Sequence, residues 1–425
     1  MSRFIIQGRK ELSGTYRPAG NKNAVLPMLA ASLLTDEPLT LHNVPQILDV
    51  RVMLDLLVSL GVEVSQRKHT VTLNARALRH GRPAPELCRR VRSSILLAGP
   101  LAARHGRAVL SPPGGDVIGR RRLDTHRLGL EALGIRMEGR KALSFRRHKL
   151  HGADILLDEA SVTATENILM AATLARGKTI LRNAACEPHV QDLGRMLVRM
   201  GARIEGLGSN RIIVHGVSRL RGTTCTVGPD HIEVGSFLAA AAATRGSLRV
   251  EAAFDDETSR VMFRPFERLG VHVEAQDGAI LLARGQRLRV KEDLGRAIPK
   301  IEDGAWPAFP SDLLSVMIVL ATQVEGEILF FEKLFESRMF FVDRLIEMGA
   351  HIIQCDPHRV VAAGPTRLHG THLTTPDIRA GMALVVAALC AKGRSIIENA
   401  EVVDRGYEQI ETRLQSLGAD ITREP

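Results

Sequence analysis

Six times along this 425-residue chain an apolar residue and a glycine end an amphipathic stretch and lead into a short strand-like tail. The six endings are Leu60-Gly61-Val62, Leu133-Gly134-Ile135, Met200-Gly201-Ala202, Leu269-Gly270-Val271, Met348-Gly349-Ala350 and Leu417-Gly418-Ala419. Spacing held at roughly seventy residues marks an internal repeat, which constrains the fold more than any local motif. Roughly forty residues before each glycine, a polar or charged group opens a nearly continuous apolar run. These openings hold Lys22 and Asn23, Arg92, Ser161, Glu233, Asp312 and Arg379. Unlike reactive groups at equivalent repeat positions point to one asymmetric site in a common cleft.

The first copy predicts the local structure. Residues 23–34 are apolar around most of a helix and therefore buried, with Pro27 in the first turn, where its missing N–H costs little. Residues 38–42 read as a strand. Residues 49–60 are amphipathic, with Val52, Leu54, Leu57 and Leu60 at helical spacing. Gly61 then ends that helix, and the following residues alternate as a strand. Residues 235–243 and 380–390 repeat the apolar run, each followed by a turn glycine and a strand. The expectation is an α/β chain of six units, three per domain, with buried helices surrounded by sheets. The segment before Lys22 is assigned to the C-terminal half, so the expected domains are 22–228 and 1–21 plus 229–425.

Charge and cysteine usage narrow the function. Lys and Arg number 57 against 47 Asp and Glu, a formal charge of +10 that suits anionic partners. Aromatics are only 4%, too few for the stacking platforms of RNA-binding modules, and no basic run resembles a nucleic-acid tail. A ring-shaped DNA clamp is also built from repeated α/β units, but it would spread basic residues along its repeated helices. No nucleic-acid or membrane partner is expected. The five cysteines are scattered, with no CxxC pair, so neither a disulfide framework nor a zinc site is expected. The start of the chain lacks a signal-peptide pattern and its apolar runs are short, which predicts a cytoplasmic protein.

Four segments carry chemistry. In Pro18-Ala-Gly-Asn-Lys-Asn-Ala-Val-Leu-Pro27 a glycine turn delivers Lys22 and Asn23 to a helix start, which favours an anion. Between Ser111 and His126, glycines, prolines and Arg120-Arg121-Arg122 make a loop suited to phosphate or carboxylate. Asp312, in Ala308-Phe-Pro-Ser-Asp312, places a carboxylate at the head of an apolar helix, where a cap is the plainer reading. The fourth group is Glu336-Ser-Arg338, Pro376-Asp-Ile-Arg379 and Asp404-Arg-Gly-Tyr407. Two carboxylates among several cations fit acid–base work on a multiply anionic substrate. The residues read as a transferase that uses no metal and no cofactor.

These segments resemble the UDP-N-acetylglucosamine enolpyruvyl transferases. The resemblance spans the chain and rests on Gly20-Asn-Lys-Asn-Ala, Val91-Arg-Ser-Ser-Ile with Gly99-Pro100, Pro113-Gly-Gly-Asp-Val-Ile-Gly, Ser161-Val, Phe309-Pro-Ser-Asp312, Glu336-Ser-Arg338, Asp377-Ile-Arg379 and Asp404-Arg-Gly-Tyr407. It implies a two-domain inside-out α/β barrel. It also implies transfer of the enolpyruvyl group of phosphoenolpyruvate to the sugar 3′-hydroxyl, in the first committed step of peptidoglycan synthesis. Asp312 matches the carboxylate that faces the hydroxyl. Lys22, Arg121 and Arg405 match binders of phosphoenolpyruvate and phosphate, with Arg92 and Arg379 as companions. Asn23, Asp124, Ser161, Val162 and Arg338 match positions around the sugar nucleotide.

Three departures stand out. Asp116 occupies the loop position at which most of the family carries cysteine, so the expected catalytic set is Asp116, Asp312 and Lys22. A carboxylic acid there delivers a proton only if its pKa rises above about 3.9. Without the cysteine, insensitivity to the alkylating epoxide fosfomycin is expected. Thr163 replaces a usual glycine, with Glu159 where a lysine can occur. Arg122 replaces a proline beside the uridine site. Shikimate 3-phosphate or another nucleotide is the alternative acceptor, and a nucleic-acid clamp or repeat scaffold is the alternative outside enzymes.

Overall fold

The computed structural model describes residues 2–116 and 118–425; Val117 of the glycine loop lies outside the described residues. The chain divides into two compact units. The first comprises Gly20–Asp116 and Arg121–Gly228; the second comprises Met1–Ala19, Val117–Arg120 and Pro229–Pro425. Each has its own apolar core.

The repeated glycines are helix terminators with a shared geometry. Gly61, Gly134, Gly201, Gly270, Gly349 and Gly418 all have φ between 71° and 103°, a region that costs residues with a Cβ about 1–2 kcal/mol. Each stands just past the C-cap residue of a surface helix: Leu48–Ser59, Asp124–Ala132, Pro188–Arg199, Asp256–Arg268, Val342–Glu347 and Ile410–Ser416. In five copies the next residue's N–H reaches back to a helix carbonyl, for example Val62 to Leu57 at 3.1 Å and Ala202 to Leu197 at 2.9 Å. Orphan carbonyls are satisfied and the chain is turned into its strand.

The apolar runs form the buried helices. In the second unit, His231–Ala243, Ser311–Ala321 and Ile378–Cys390 pack on one another. Every residue of His231–Ala243 is buried, and Asp230 caps it by accepting the N–H groups of Ile232 and Glu233. In the first unit, Lys22–Ala31, the Arg92–Leu97 and Ala98–His105 pair and Val162–Ala172 occupy the same role. Helix Lys22–Ala31 begins at its Asn21 cap, so Pro27 falls in the second turn rather than the first, and a 3₁₀ turn over Ser32–Leu34 finishes it.

The expected barrel does not form. There are six separate sheets, five of four strands and one of three, and none closes on itself among the described residues. Closure requires a hydrogen-bonded ladder continuous around the sheet. Here the outer parallel strands are short, three residues each in Asp154–Leu156, Thr224–Thr226, Lys300–Glu302 and His372–Thr374. No ladder joins one sheet to the next among the described residues, and apolar helices rather than further strands supply the burial.

Two pairings cross the chain in sequence. Ser13–Tyr16 runs parallel to Ser247–Val250, and Thr224–Thr226 runs parallel to Leu39–His42. Arg3–Gln7 is central in its sheet, antiparallel to both Arg394–Glu398 and Asp420–Glu424. Among the described residues no helix is long and apolar enough to cross a membrane.

Candidate active site

In the second unit, Asp312 is the second residue of helix Ser311–Ala321, the one position of that helix left incompletely buried. Two guanidiniums hold its carboxylate. Arg338 Nη2 donates to Oδ1 at 2.9 Å, and Arg379 reaches Oδ2 through Nε at 3.0 Å and Nη2 at 2.9 Å. Both arginine side chains are 6% exposed, against 26% for Asp312. Such charge-assisted contacts are roughly twice as strong as neutral ones. Burial works against the charge of Arg379, but Asp312 and its other neighbours outweigh it and raise its pKa. The same guanidinium lies over the Tyr407 ring, 5.4 Å from the centroid.

Arg379 is placed by the Asp377 cap, whose carboxylate accepts the Arg379 and Ala380 N–H groups at 2.9 and 3.0 Å. Arg338 opens a 3₁₀ turn, Arg338–Phe341, and its Nη1 is buried without a hydrogen-bond partner among the described residues. Behind it is Glu332, fully buried, with Oε2 3.6 Å from Arg338 Nε and 2.7 Å from Ser311 Oγ. Burial, and then the neighbouring Asp303, raise the Glu332 carboxyl. Arg405 ends the 3₁₀ turn Ala400–Arg405. The preceding Asp404 is gripped by Arg423 at 2.6 and 2.7 Å, and Arg423 also holds Glu411.

In the first unit Lys22 is the first residue of its helix and only 8% exposed. Its Nζ is 2.8 Å from Asp49 Oδ2, itself buried. Asn23 follows, half-buried, its N–H donated to the Asn21 cap. Arg92 opens the turn Arg92–Leu97 and donates to the carbonyls of Arg121 and Arg122. Burial, with Arg121 nearby, lowers its pKa to about 10. The glycine loop backs directly onto this segment: a Cβ on Gly114 would meet the Arg89 carbonyl oxygen at 1.7 Å, and one on Gly115 would meet Arg92 Cβ at 2.9 Å. Only glycine permits that approach. Asp116, half-buried, follows these glycines.

Asp124 opens the surface helix Asp124–Ala132 and is exposed, with Arg122 Nε 3.4 Å away. Arg122 also reaches Asp158, while Thr125 Oγ1 donates to Asp158 and Glu159. Ser161 and Val162 stand at the start of helix Val162–Ala172, where the Ser161 side chain makes no capping bond.

Each unit thus gathers its own set. Asp312 is in contact with both Arg338 and Arg379, whereas Arg405 follows Asp404, the residue held by Arg423. Arg92 and Arg121 are neighbours, while Lys22 is paired with Asp49. Sequence reasoning missed Asp49, Glu332, His126 and Asn167. Asp49 and Glu332 read as ordinary acidic residues of a surface helix and a strand end, and only their burial marks them. His126, wholly buried, is lowered to about 3 by burial and by Arg92. Among the described residues no group of three His, Cys, Asp or Glu side chains is placed to hold a metal ion.

The family model of EPSP synthase (3-phosphoshikimate 1-carboxyvinyltransferase) matches residues 6–414. The chain therefore belongs to the 1-carboxyvinyltransferase, or enolpyruvyl transferase, family. Within it, the chain is 54% identical to the UDP-N-acetylglucosamine 1-carboxyvinyltransferase of Bradyrhizobium diazoefficiens, covering 99% of this chain and 98% of that one. It is 51% identical to the enzyme of the same name from Treponema denticola, covering 99% of both. Among solved structures, the enolpyruvyl transferase NikO from Streptomyces tendae has a TM-score of 0.88 at 24% identity, covering 100% of this chain and 99% of that one. The likeness to NikO is one of fold.

Proposed function

We infer that this chain transfers the enolpyruvyl group of phosphoenolpyruvate to the 3′-hydroxyl of UDP-N-acetylglucosamine, releasing phosphate. That is the first committed step of peptidoglycan synthesis. The observation that carries this reading is the end-to-end relationship to enzymes named for that reaction. The Asp312 carboxylate, held by two buried guanidiniums at the head of an apolar helix, supports it.

The chemistry assigns roles to the chain's own groups. Asp312 takes the acceptor's hydroxyl proton as that oxygen bonds to C2 of phosphoenolpyruvate, while Asp116, acting in its protonated form, delivers a proton to C3. The tetrahedral adduct then loses a proton from C3 as its C2–phosphate bond breaks, restoring the double bond and freeing phosphate. General acid and base groups of this kind contribute about 10²–10⁴-fold each. Lys22, Arg121 and Arg405 take the phosphate and carboxylate of phosphoenolpyruvate, with Arg92 and Arg379 adding charge that stabilises the adduct. Asn23, Asp124, Ser161, Val162 and Arg338 hold the sugar nucleotide. The burial of Lys22 and Arg379 supports these roles, because low-dielectric surroundings strengthen their hold on an oxyanion.

The deciding measurement is phosphate release from phosphoenolpyruvate in the presence of UDP-N-acetylglucosamine, shikimate 3-phosphate or UMP. Turnover with the sugar nucleotide is expected. Release only with another acceptor overturns the substrate, and release with none overturns the reaction.

A further inference from the structure

Two carboxyl groups are buried behind Arg338, and the contacts around them fix where one proton sits. Asp303, directly after strand Lys300–Glu302, is 1% exposed, and Glu332 is wholly buried. The Asp303 N–H donates to the Phe331 carbonyl at 3.2 Å, which brings the two acids side by side. Asp303 Oδ1 accepts the Lys333 N–H. Asp303 Oδ2 is buried and receives no N–H and no alcohol hydroxyl among the described residues, but Glu332 is within hydrogen-bonding reach. Two carboxylates so placed cannot both be ionised, so one proton lies between them. Aspartate is the stronger acid and Glu332 the more deeply buried, which puts the proton on Glu332. Its Oε1 already accepts the Leu334 and Phe335 N–H groups, both at 3.1 Å. The proton is therefore on Oε2, where it answers the otherwise unmet Asp303 oxygen.

Arg338 shows the consequence. Its Nε stands 3.6 Å from Glu332 Oε2 and makes no hydrogen bond among the described residues, whereas its Nη2 is 2.9 Å from Asp312. An ionised Glu332 would draw that N–H into a short charge-assisted bond; a protonated one does not. The other groups facing Glu332 are Ser311, whose hydroxyl donates to Oε2 at 2.7 Å, and His358, whose ring meets the Glu332 backbone carbonyl at 2.6 Å. Lys333 turns its ammonium to Glu302 instead.

We propose that Asp303 and Glu332 are positioning residues for the reaction: by sharing one proton, held on Glu332, they leave Arg338 to Asp312 and so set how readily Asp312 takes a proton. This rests on the reading of Asp312 as the base of the enolpyruvyl transfer. Ionised, Glu332 would compete with Asp312 for the guanidinium. Protonated, it shapes the pocket behind Arg338 without claiming its charge.

The test measures kcat/KM against pH for the wild type, Asp303→Asn and Glu332→Gln, the titration of phosphoenolpyruvate being common to all three. Glu332→Gln is a neutral copy of the protonated acid. Its carbonyl keeps the two backbone N–H groups and its amide donates to Asp303, so the acid limb should match the wild type within about 0.3 unit. In Asp303→Asn the Lys333 N–H fixes the amide oxygen, which turns the amide hydrogens toward Glu332. Glu332 then gives up its proton and takes a share of Arg338. Asp312 holds its own proton more tightly, and the acid limb should rise by about one pH unit. A purely structural role would lower activity without moving the limb.

An unmoved limb in Asp303→Asn, a limb raised as far in Glu332→Gln, or a Glu332→Gln protein that fails to fold overturns the proposal. Carbon-13 NMR of the wild type decides it if Asp303→Asn does not fold. The Glu332 carboxyl resonance, identified by its loss in Glu332→Gln, should still be that of a protonated acid at about pH 6, above the ordinary range for glutamate. An ionised Glu332 there overturns the shared proton. Wild-type protein that releases no phosphate with any acceptor instead overturns the functional reading, and the carboxyl resonance still tests the pair in that case.

Discussion

Replacing Asp312 by asparagine keeps the side chain's size and one carbonyl acceptor but removes the charge on which two buried guanidiniums converge. Both Arg338 and Arg379 lose their counter-charge at 2.9 Å. Removing one partner of a buried ion pair costs about 3–5 kcal/mol, chiefly because the surviving charge is stranded. Here the cost is smaller, about 2–3 kcal/mol, because Asp312 is itself a quarter exposed and water replaces part of the lost charge. At about 2–4 °C per kcal/mol for units of this size, the second unit should melt about 4–12 °C lower.

Turnover should fall further than stability implies, by about 10²–10⁴-fold, because the proposed base is gone. Phosphate release measured well below the melting transition separates the two effects. Asp312→Asn with full turnover would refute its assignment as base. Turnover lost with no change in melting would refute the claim that this carboxylate neutralises the paired arginines.

Fosfomycin should leave the wild type active with no covalent adduct by mass spectrometry, and Asp116→Cys should gain a loop adduct; an adduct on the wild type contradicts this. His126, held near 3 in the fold against 6.5 when free, binds fewer protons folded than unfolded between those values, so its contribution to stability falls as pH drops below 6.5. From pH 7 to pH 5 the wild type should lose about 2 kcal/mol relative to His126→Gln, read from urea midpoints at each pH. A Cβ on Gly201 meets nothing within 4 Å, whereas one on Gly134 meets the Lys149 carbonyl oxygen at 2.1 Å. Gly201→Ala should therefore cost only the backbone term, about 1–2 kcal/mol, and Gly134→Ala clearly more, by denaturant unfolding.

Much of this architecture could be read in advance because it is written locally. A terminating glycine needs only its own helix, so all six positive-φ positions were visible as apolar–glycine pairs. Helix His231–Ala243 was visible because no polar face interrupts its apolar run. Barrel closure was misjudged because it depends on which strand edges meet, and strands of three residues carry too little pattern to show that. At the site, the arginines stood out by spacing from the repeat. The Lys22–Asp49 pair did not, since Asp49 lies in an amphipathic helix where most acids face water. His126 and Asn167 were hidden for another reason: they lie 41 residues apart in sequence, and no spacing rule links the end of the glycine-loop segment to the middle of an apolar helix.

The strand Arg3–Gln7 carries a consequence for how the chain is made. Its two neighbours, Arg394–Glu398 and Asp420–Glu424, lie far downstream in the sequence, so this strand must wait for both units to be synthesised before it can pair. The first unit completes its sheets as soon as Thr224–Thr226 emerges, while the second stays open until the end. A nascent chain stalled past residue 228 would expose residues 3–7 as an unpaired, apolar edge, a natural target for chaperones. Because Arg3 and Glu424 end up bonded at 2.9 Å, a permuted chain that links residues 3 and 424 through a short linker and starts at residue 229 would have that strand made next to its partners.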